Sequence, residues 1–202
     1  MADIGIVYFS MYGSTLELAR EIAAGVREAG GTAHLRRLPH DLPDDVAESE
    51  GVAEAQDDQD DIPYAEVEEL TDFDGVLFGS GTRFGSATAQ LQKFFDQCGP
   101  LWAEGELIGT PAGFFTGAAT LHGGHESTIL SMSTFAYHQG MPIVPMGYSH
   151  EATNTTDTGG GPYGPSQLSP QDGSKDGLSD DEIAIARAYG ARFHDVATRL
   201  AD

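Results

Sequence analysis

A repeated switch of periodicity limits the folds open to this chain more than any other property. Asp3-Ile-Gly-Ile-Val-Tyr-Phe9 is a short apolar run of β-formers, and after Ser10-Met-Tyr-Gly-Ser-Thr15 the residues Leu16, Ala19, Ile22, Ala23 and Val26 recur at helical spacing. Gly30-Gly31 ends that helix, and residues 32–38 read as a second strand before Pro39 and Pro43 break the pattern. One βαβ unit is then complete, with a right-handed crossover expected. Residues 75–79 predict a buried third strand, residues 111–116 a fourth, and residues 142–146 a fifth whose prolines suggest an edge position. Between them lie a helix packed through Leu91, Phe94 and Phe95 and another over about residues 125–138. Ser179-Asp-Asp-Glu182 has the spacing of a capping box, opening a last helix with Ala186, Tyr189, Phe193, Val196 and Leu200 on one face. This alternation predicts a single α/β domain over residues 1–202: a doubly wound, five-stranded parallel sheet with helices on both faces.

Two segments fall outside the alternation. Residues 44–61 are mostly Asp, Glu, Gln and Ala without a sustained apolar face, and read as a solvated acidic excursion. Residues 148–177 are rich in Gly, Pro, Ser, Thr and Asn, a loop far longer than the usual connection of about 4–6 residues, and such loops are disproportionately functional. The charge is extreme, with 32 acidic against 10 basic residues and a net charge of −22. Nucleic acid and anionic membranes are poor partners for such a chain, because both need cationic clusters and Arg36-Arg37 is the lone adjacent basic pair. Self-repulsion of this size is best tolerated where concentrated salt shortens the Debye length to about 3 Å, which points to a salt-loving host; the plainer alternative is an ordinary acidic protein with a disordered acidic loop. The chain passes from Met1 directly into an apolar strand pattern and holds no long apolar run, so a cytoplasmic location is expected. Its one cysteine, Cys98, sits in an apolar helical pattern and reads as a packed thiol.

In a doubly wound sheet, ligands bind beyond the carboxyl ends of the strands, where strand order reverses. Three loops meet that description: residues 10–15, 82–85 and 116–124. The first sets Ser10, Gly13, Ser14 and Thr15 ahead of a helix N-terminus, where backbone N–H groups can hold a phosphate without a basic side chain. The plainer reading is a helix start capped by Ser14 or Thr15. Other phosphate motifs are absent: there is no Gly-x-x-x-x-Gly-Lys-Ser/Thr, no Gly-x-Gly-x-x-Gly in this loop and no cysteine nucleophile. A monophosphate cofactor remains.

Further blocks carry a resemblance. Gly79-Ser-Gly-Thr-Arg-Phe-Gly85, Phe95-Asp-Gln97 with Leu101-Trp102, Phe115-Thr-Gly-Ala-Ala-Thr-Leu-His-Gly-Gly-His-Glu126, His138-Gln-Gly-Met141, Ile143-Val-Pro-Met-Gly-Tyr148 and Gly161-Pro-Tyr-Gly164 join residues 10–15 in order along nearly the whole chain. Together they resemble the WrbA-type NAD(P)H:quinone oxidoreductases, of flavodoxin-like fold, and the resemblance implies the strand order 2-1-3-4-5. The resemblance implies bound FMN, with NAD(P)H as co-substrate and a quinone as acceptor taking turns in one slot, hence ping-pong kinetics. It implies that Ser10, Met11, Tyr12, Gly13, Ser14 and Thr15 cradle the phosphate, that Thr82, Arg83 and Phe84 border the isoalloxazine, and that Thr116, Gly117, Ala118, Ala119, Thr120, His122 and Gly123 line its other edge. His138 would contact the flavin, with His138 and Arg83 tuning proton and charge transfer. Tyr12, Trp102 and Tyr148 would form the pocket for nicotinamide and quinone, and the assembly would be a homotetramer.

The chain departs from the family pattern in places. Ser14-Thr15 stand where His-Ile is frequent, Gly81 where proline is frequent, and Ala118-Ala119 remove side-chain donors, leaving backbone N–H groups to serve. Arg83 could instead be a surface ion-pair partner, and Trp102 core or subunit contact. His122, His125 and His138 lack a second pair of ligands at zinc spacing, so no metal is expected. The alternative from another class is a flavodoxin-like electron carrier, which needs its flavin edge open where an enzyme needs a walled pocket. A regulatory interaction protein with an incidental flavin has no specific support in the sequence.

Overall fold

In the computed structural model, which describes residues 1–49, 52–169 and 177–201, strand and helix alternate as the periodicity requires. The strand β1 (Asp3–Phe9) leads into α1 (Ser14–Glu28) and β2 (Thr32–Arg37). After α2 (Asp44–Ser49) and α3 (Val52–Asp57) come β3 (Gly75–Arg83), β4 (Ser86–Ala87), α4 (Ala89–Gln97) and α5 (Gly99–Glu104). The chain closes with β5 (Ala112–Ala118), α6 (His125–Gln139), α7 (Ala152–Thr155), β6 (Ser166–Leu168) and α8 (Asp180–Ala201).

The main sheet is parallel in the order β2-β1-β3-β5-β6, and the short β4 folds back antiparallel on β3. There are thus six strands rather than five, and the order 2-1-3-4-5 is kept only when β4 is set aside and β6 takes the last place. Residues 142–146 do not form the predicted fifth strand. Ile143 makes one parallel bridge to Ala112, while Pro142 and Pro145 have no N–H to extend a ladder. The chain leaves the edge and returns to it as β6, beside the far end of β5. The edge of β5 is therefore satisfied from three sources: Ala112 N–H donates to Pro142 O at 2.8 Å, Thr116 N–H to Pro165 O at 3.1 Å, and between them Phe114 N–H to the Tyr189 hydroxyl at 3.1 Å. That hydroxyl donates in turn to Val144 O at 2.7 Å.

Strand alternation divides the interior in two. Ile4, Ile6 and Tyr8 of β1, with Leu77 and Phe115, pack on one face against Leu16, Leu18 and Ile22 of α1 and Ile185, Tyr189 and Phe193 of α8. Val7, Phe9, Val76, Phe78 and Phe114 face the other way, onto Leu91, Phe94 and Cys98 and onto Ile129 and Met132 of α6. The helices α1 and α8 cross at their glycines: a Cβ on Gly25 would run into the Arg187 backbone, and one on Gly190 into Ile22 O.

The capping box opens α8 as the spacing predicts. Glu182 N–H donates to Ser179 Oγ at 3.2 Å and Ser179 N–H to Glu182 Oε2 at 2.8 Å. The same carboxylate is fully buried and accepts the N–H groups of Gly159 and Leu168 at 2.9 and 2.7 Å, so it also pins the long loop to the sheet edge. Residues 170–176 of that loop and residues 50–51 of the acidic run lie outside the described residues. The rest of the acidic run is not simply a solvated excursion. It contains α2 and α3, and Ala47 and Val52 are buried, because single apolar residues suffice to seat such short helices.

Candidate functional site

The order of the sheet reverses between β1 and β3, and a cleft of about 620 Å³ opens there at the carboxyl ends of the strands. Phe9, Met11, Tyr12, Ser14 and Thr15 line it after β1, Gly81, Thr82, Arg83 and Thr88 around the end of β3, Gly117, Ala118 and Ala119 at the end of β5, and Ser169 after β6. The fold therefore gathers the first loop, much of the second and the start of the third, three segments far apart in sequence.

The first loop has the properties of an anion cradle. The N-cap of α1 is Gly13, at φ 91°, rather than Ser14 or Thr15, and no side chain caps the helix. The N–H groups of its first turn are thus left for a ligand or water. The Ser10 hydroxyl is buried without a hydrogen-bond partner, a costly arrangement that a phosphate oxygen would relieve. A Cβ on Gly13 would meet nothing within 4 Å, so the space before the helix is open. These features fit a phosphate-bearing cofactor whose charge is held by neutral donors.

Hydroxyls brace the second loop. Ser80 Oγ accepts Thr88 N–H at 2.9 Å and donates to Gly81 O at 2.8 Å. Thr82 Oγ1 takes hydrogen bonds from Thr128 Oγ1 at 2.7 Å and from Gly85 N–H at 3.2 Å. Arg83 Nη1 donates to Thr82 O at 2.9 Å, placing a cation on the cleft wall. Phe84 stands at the hairpin tip in the left-handed region, φ 52°, with its ring fully exposed. It is not among the residues that line the cleft.

The third loop is divided. Gly117, Ala118 and Ala119 reach the cleft, whereas Thr116 is buried and donates through Oγ1 to Ser80 O at 2.7 Å, tying β5 to β3. Thr120, His122 and Gly123 lie beyond the cleft lining in a turn in which Gly123 N–H and His125 Nε2 contact Thr120 O at 2.9 and 3.3 Å. Burial holds the His125 imidazole below the ordinary histidine range, so at neutral pH it is uncharged and donates from Nε2 to that carbonyl.

The remaining expected residues stand apart. His138 is exposed near the end of α6, in a separate hollow of about 300 Å³ with Gln92, Phe95, Asp96 and Phe135. Trp102 on α5 and Tyr148 after the Ile143 bridge are 60% and 66% exposed, and neither lines the cleft. Cys98 is a packed thiol, as its pattern predicts: it is fully buried, and desolvation pushes it up to about 12. Among the described residues no cluster of three or more His, Cys, Asp or Glu could hold a metal, and no helix is long and apolar enough to cross a membrane.

Sequence reasoning passed over several contributors. Ser169 belongs to the long loop flagged for its length, and Thr88 follows the second loop, yet neither carried a motif. Gln56 and Gln59 were hidden in the acidic run, and they turn inward to the carbonyls of the first loop.

Comparison with known proteins agrees with this geometry. Residues 7–155 match the family described as NADPH-dependent FMN reductase. The chain is 44% identical over 201 residues to an NAD(P)H dehydrogenase (quinone) of Geobacter sulfurreducens, covering 98% of each. It is 41% identical over 202 residues to a protein of the same description from Caulobacter vibrioides, covering 99% of each. Among solved structures, a WrbA-like flavodoxin from Agrobacterium tumefaciens superposes with a TM-score of 0.67 at 24% identity, over 98% of this chain and 99% of that one. A flavodoxin from the domain Archaea gives 0.60 at 16%, over 99% of each. These two likenesses bear on the fold, which is flavodoxin-like.

Proposed function

The chain belongs to the NAD(P)H dehydrogenase (quinone) family, and on that premise we propose that it is an FMN-dependent oxidoreductase that moves electron pairs from NAD(P)H to quinones by a ping-pong mechanism. The observation that carries the reading is the cleft at the strand-order reversal, floored by the uncapped start of α1; Ser10 and Gly13 of the same loop do not line it, and the unpartnered Ser10 hydroxyl is buried beside it. A bound FMN would supply reversible two-electron chemistry between the hydride donor and the quinone acceptor.

The protein contributes position and charge. The loop of residues 10–15 holds the phosphate by backbone N–H groups and hydroxyls, which a chain of net charge −22 can offer without a cationic cluster. Thr82, fixed by Thr128, and the backbone of residues 117–119 set the edges of the flavin site. Arg83 supplies positive charge at the wall where negative charge accumulates on reduction. Tyr12, 57% exposed at the rim, is placed for the nicotinamide or quinone ring. One cleft serving both substrates in turn gives ping-pong kinetics, because the oxidised nicotinamide must leave before the quinone can enter.

His138, Trp102 and Tyr148 enter this scheme through assembly. In a homotetramer, neighbouring copies would cover their exposed side chains and bring them to the pocket. The acidic surface fits a cytoplasm rich in salt, and residues 1–202 act as one domain.

Purified protein should be yellow, release FMN on denaturation and oxidise NAD(P)H only when a quinone is supplied, with parallel lines in two-substrate kinetics. Intersecting lines would overturn the shared slot. A colourless protein that stays colourless with FMN in molar KCl would overturn the whole assignment. Should flavin bind while quinone-dependent turnover is absent, the electron-carrier alternative takes its place.

A further inference from the structure

We propose, resting on the FMN reading, that Gln56 and Gln59 are positioning residues of the phosphate loop, their amides fixing the peptide groups of Ser10 and Met11 so that the next backbone N–H groups face the anion. Gln56 Nε2 donates to Ser10 O at 2.8 Å and to Met11 O at 3.1 Å, using both amide protons on successive carbonyls. Gln59 Nε2 reaches the same Ser10 O at 3.3 Å and is held by Ala55 O at 2.9 Å. Both glutamines are buried, at 8% and 1% exposure.

A trans peptide is planar, so the C=O of one residue and the N–H of the next point in opposite directions. Pinning the Ser10 and Met11 carbonyls on the α3 side therefore turns the N–H groups of Met11 and Tyr12 away from α3. Met11 lines the cleft, where its N–H adds to the open N-terminus of α1. An untethered loop could swing either peptide over and present a carbonyl to the phosphate, which is repulsive.

The choice of side chain is informative. Residues 44–61 hold nine acids, yet among the described side chains the two that hydrogen-bond to the loop's carbonyls are neutral amides. A carboxylate there has no proton to give and would set negative charge against two carbonyls and the bound anion. The strut behind the glutamines is cationic. Arg37, buried at the end of β2, donates to Gln56 O at 3.2 Å and Asp60 Oδ1 at 2.9 Å, and its guanidinium lies 4.5 Å from the centre of the Tyr64 ring. The acidic segment is thereby moored to the sheet it serves.

The amides act on the phosphate end of the cofactor, so they discriminate FMN from riboflavin, which lacks the phosphate. Apoprotein in molar KCl is titrated with each flavin, following the quenching of flavin fluorescence. Gln56→Ala is expected to weaken FMN binding by about tenfold while leaving riboflavin binding within about twofold of wild type. Gln59→Ala moves FMN binding less, since its bond to Ser10 is longer. Gln56→Glu weakens FMN binding more than Ala at neutral pH and recovers part of the loss in acid, where a protonated carboxyl can donate. Riboflavin binding by each variant shows that the ring site is folded. Equal losses for the two flavins, or no loss for either, would overturn the positioning role while leaving the FMN reading intact. Wild-type protein that binds neither flavin would remove the FMN reading, and the clamp with it.

Discussion

Single residues decide how tightly the site is framed. Tyr189 closes the gap in the sheet edge, and its phenol reaches there because Gly113 presents no Cβ in its path. Burial raises its pKa well above the ordinary tyrosine range, so it bridges as a neutral hydroxyl. Tyr189→Phe leaves Phe114 N–H and Val144 C=O unpaired, at a cost of about 1–3 kcal/mol for each; urea denaturation measures it. His125 is a second such point. Its folded pKa lies below the unfolded value near 6.5, so as pH falls the unfolded chain takes the proton first. The associated stability is complete above that unfolded value and is lost as pH drops toward the folded one. Wild-type stability should decline as pH falls below that unfolded value, and His125→Gln should flatten that part of the curve.

Elements are placed by the residues they lack as much as by those they bear. A helical glycine replaced by alanine ordinarily gains up to about 1 kcal/mol from propensity. At Gly190 the new methyl would strike the backbone of α1, and overpacking of that kind costs about 1–3 kcal/mol. Packing wins, so Gly190→Ala should lower the melting temperature, and a rise would mean that the helices can part without penalty. The carboxylate of Glu182 shows the converse. One acid caps α8 and holds Gly159 and β6, so a feature legible as a local helix start also carries a tertiary tie.

The whole molecule is governed by its charge. Both members of the lone basic pair are occupied, Arg36 by a bidentate bond to Glu69 at 2.9–3.1 Å and Arg37 by Asp60 at 2.9 Å, so the pair builds no cationic patch. Arg187 spans Glu21 and Glu28, joining α8 to α1. Uncompensated acids remain in large excess. Raising KCl from about 0.1 to 1 M cuts the Debye length from about 10 to 3 Å. The melting temperature should rise over that range; an unchanged value would separate the acidic composition from any need for salt.

The sequence alone determined the alternation of strand and helix, both buried faces of the sheet, the capping box and the loops that meet at the cleft, because periodicity, glycine and hydroxyl placement act over a few residues. Residues 142–146 misled, since their apolar content resembles a strand while Pro142 and Pro145 forbid the ladder, and the replacement, β6, is too short to announce itself. Tertiary structure decided which expected residues share one cleft and that glutamines in an acidic run hold the first loop. Those outcomes depend on contacts between segments some 45 residues or more apart, such as Gln56 and Ser10. No local pattern encodes such a contact; it exists only once the sheet has brought the strand ends together.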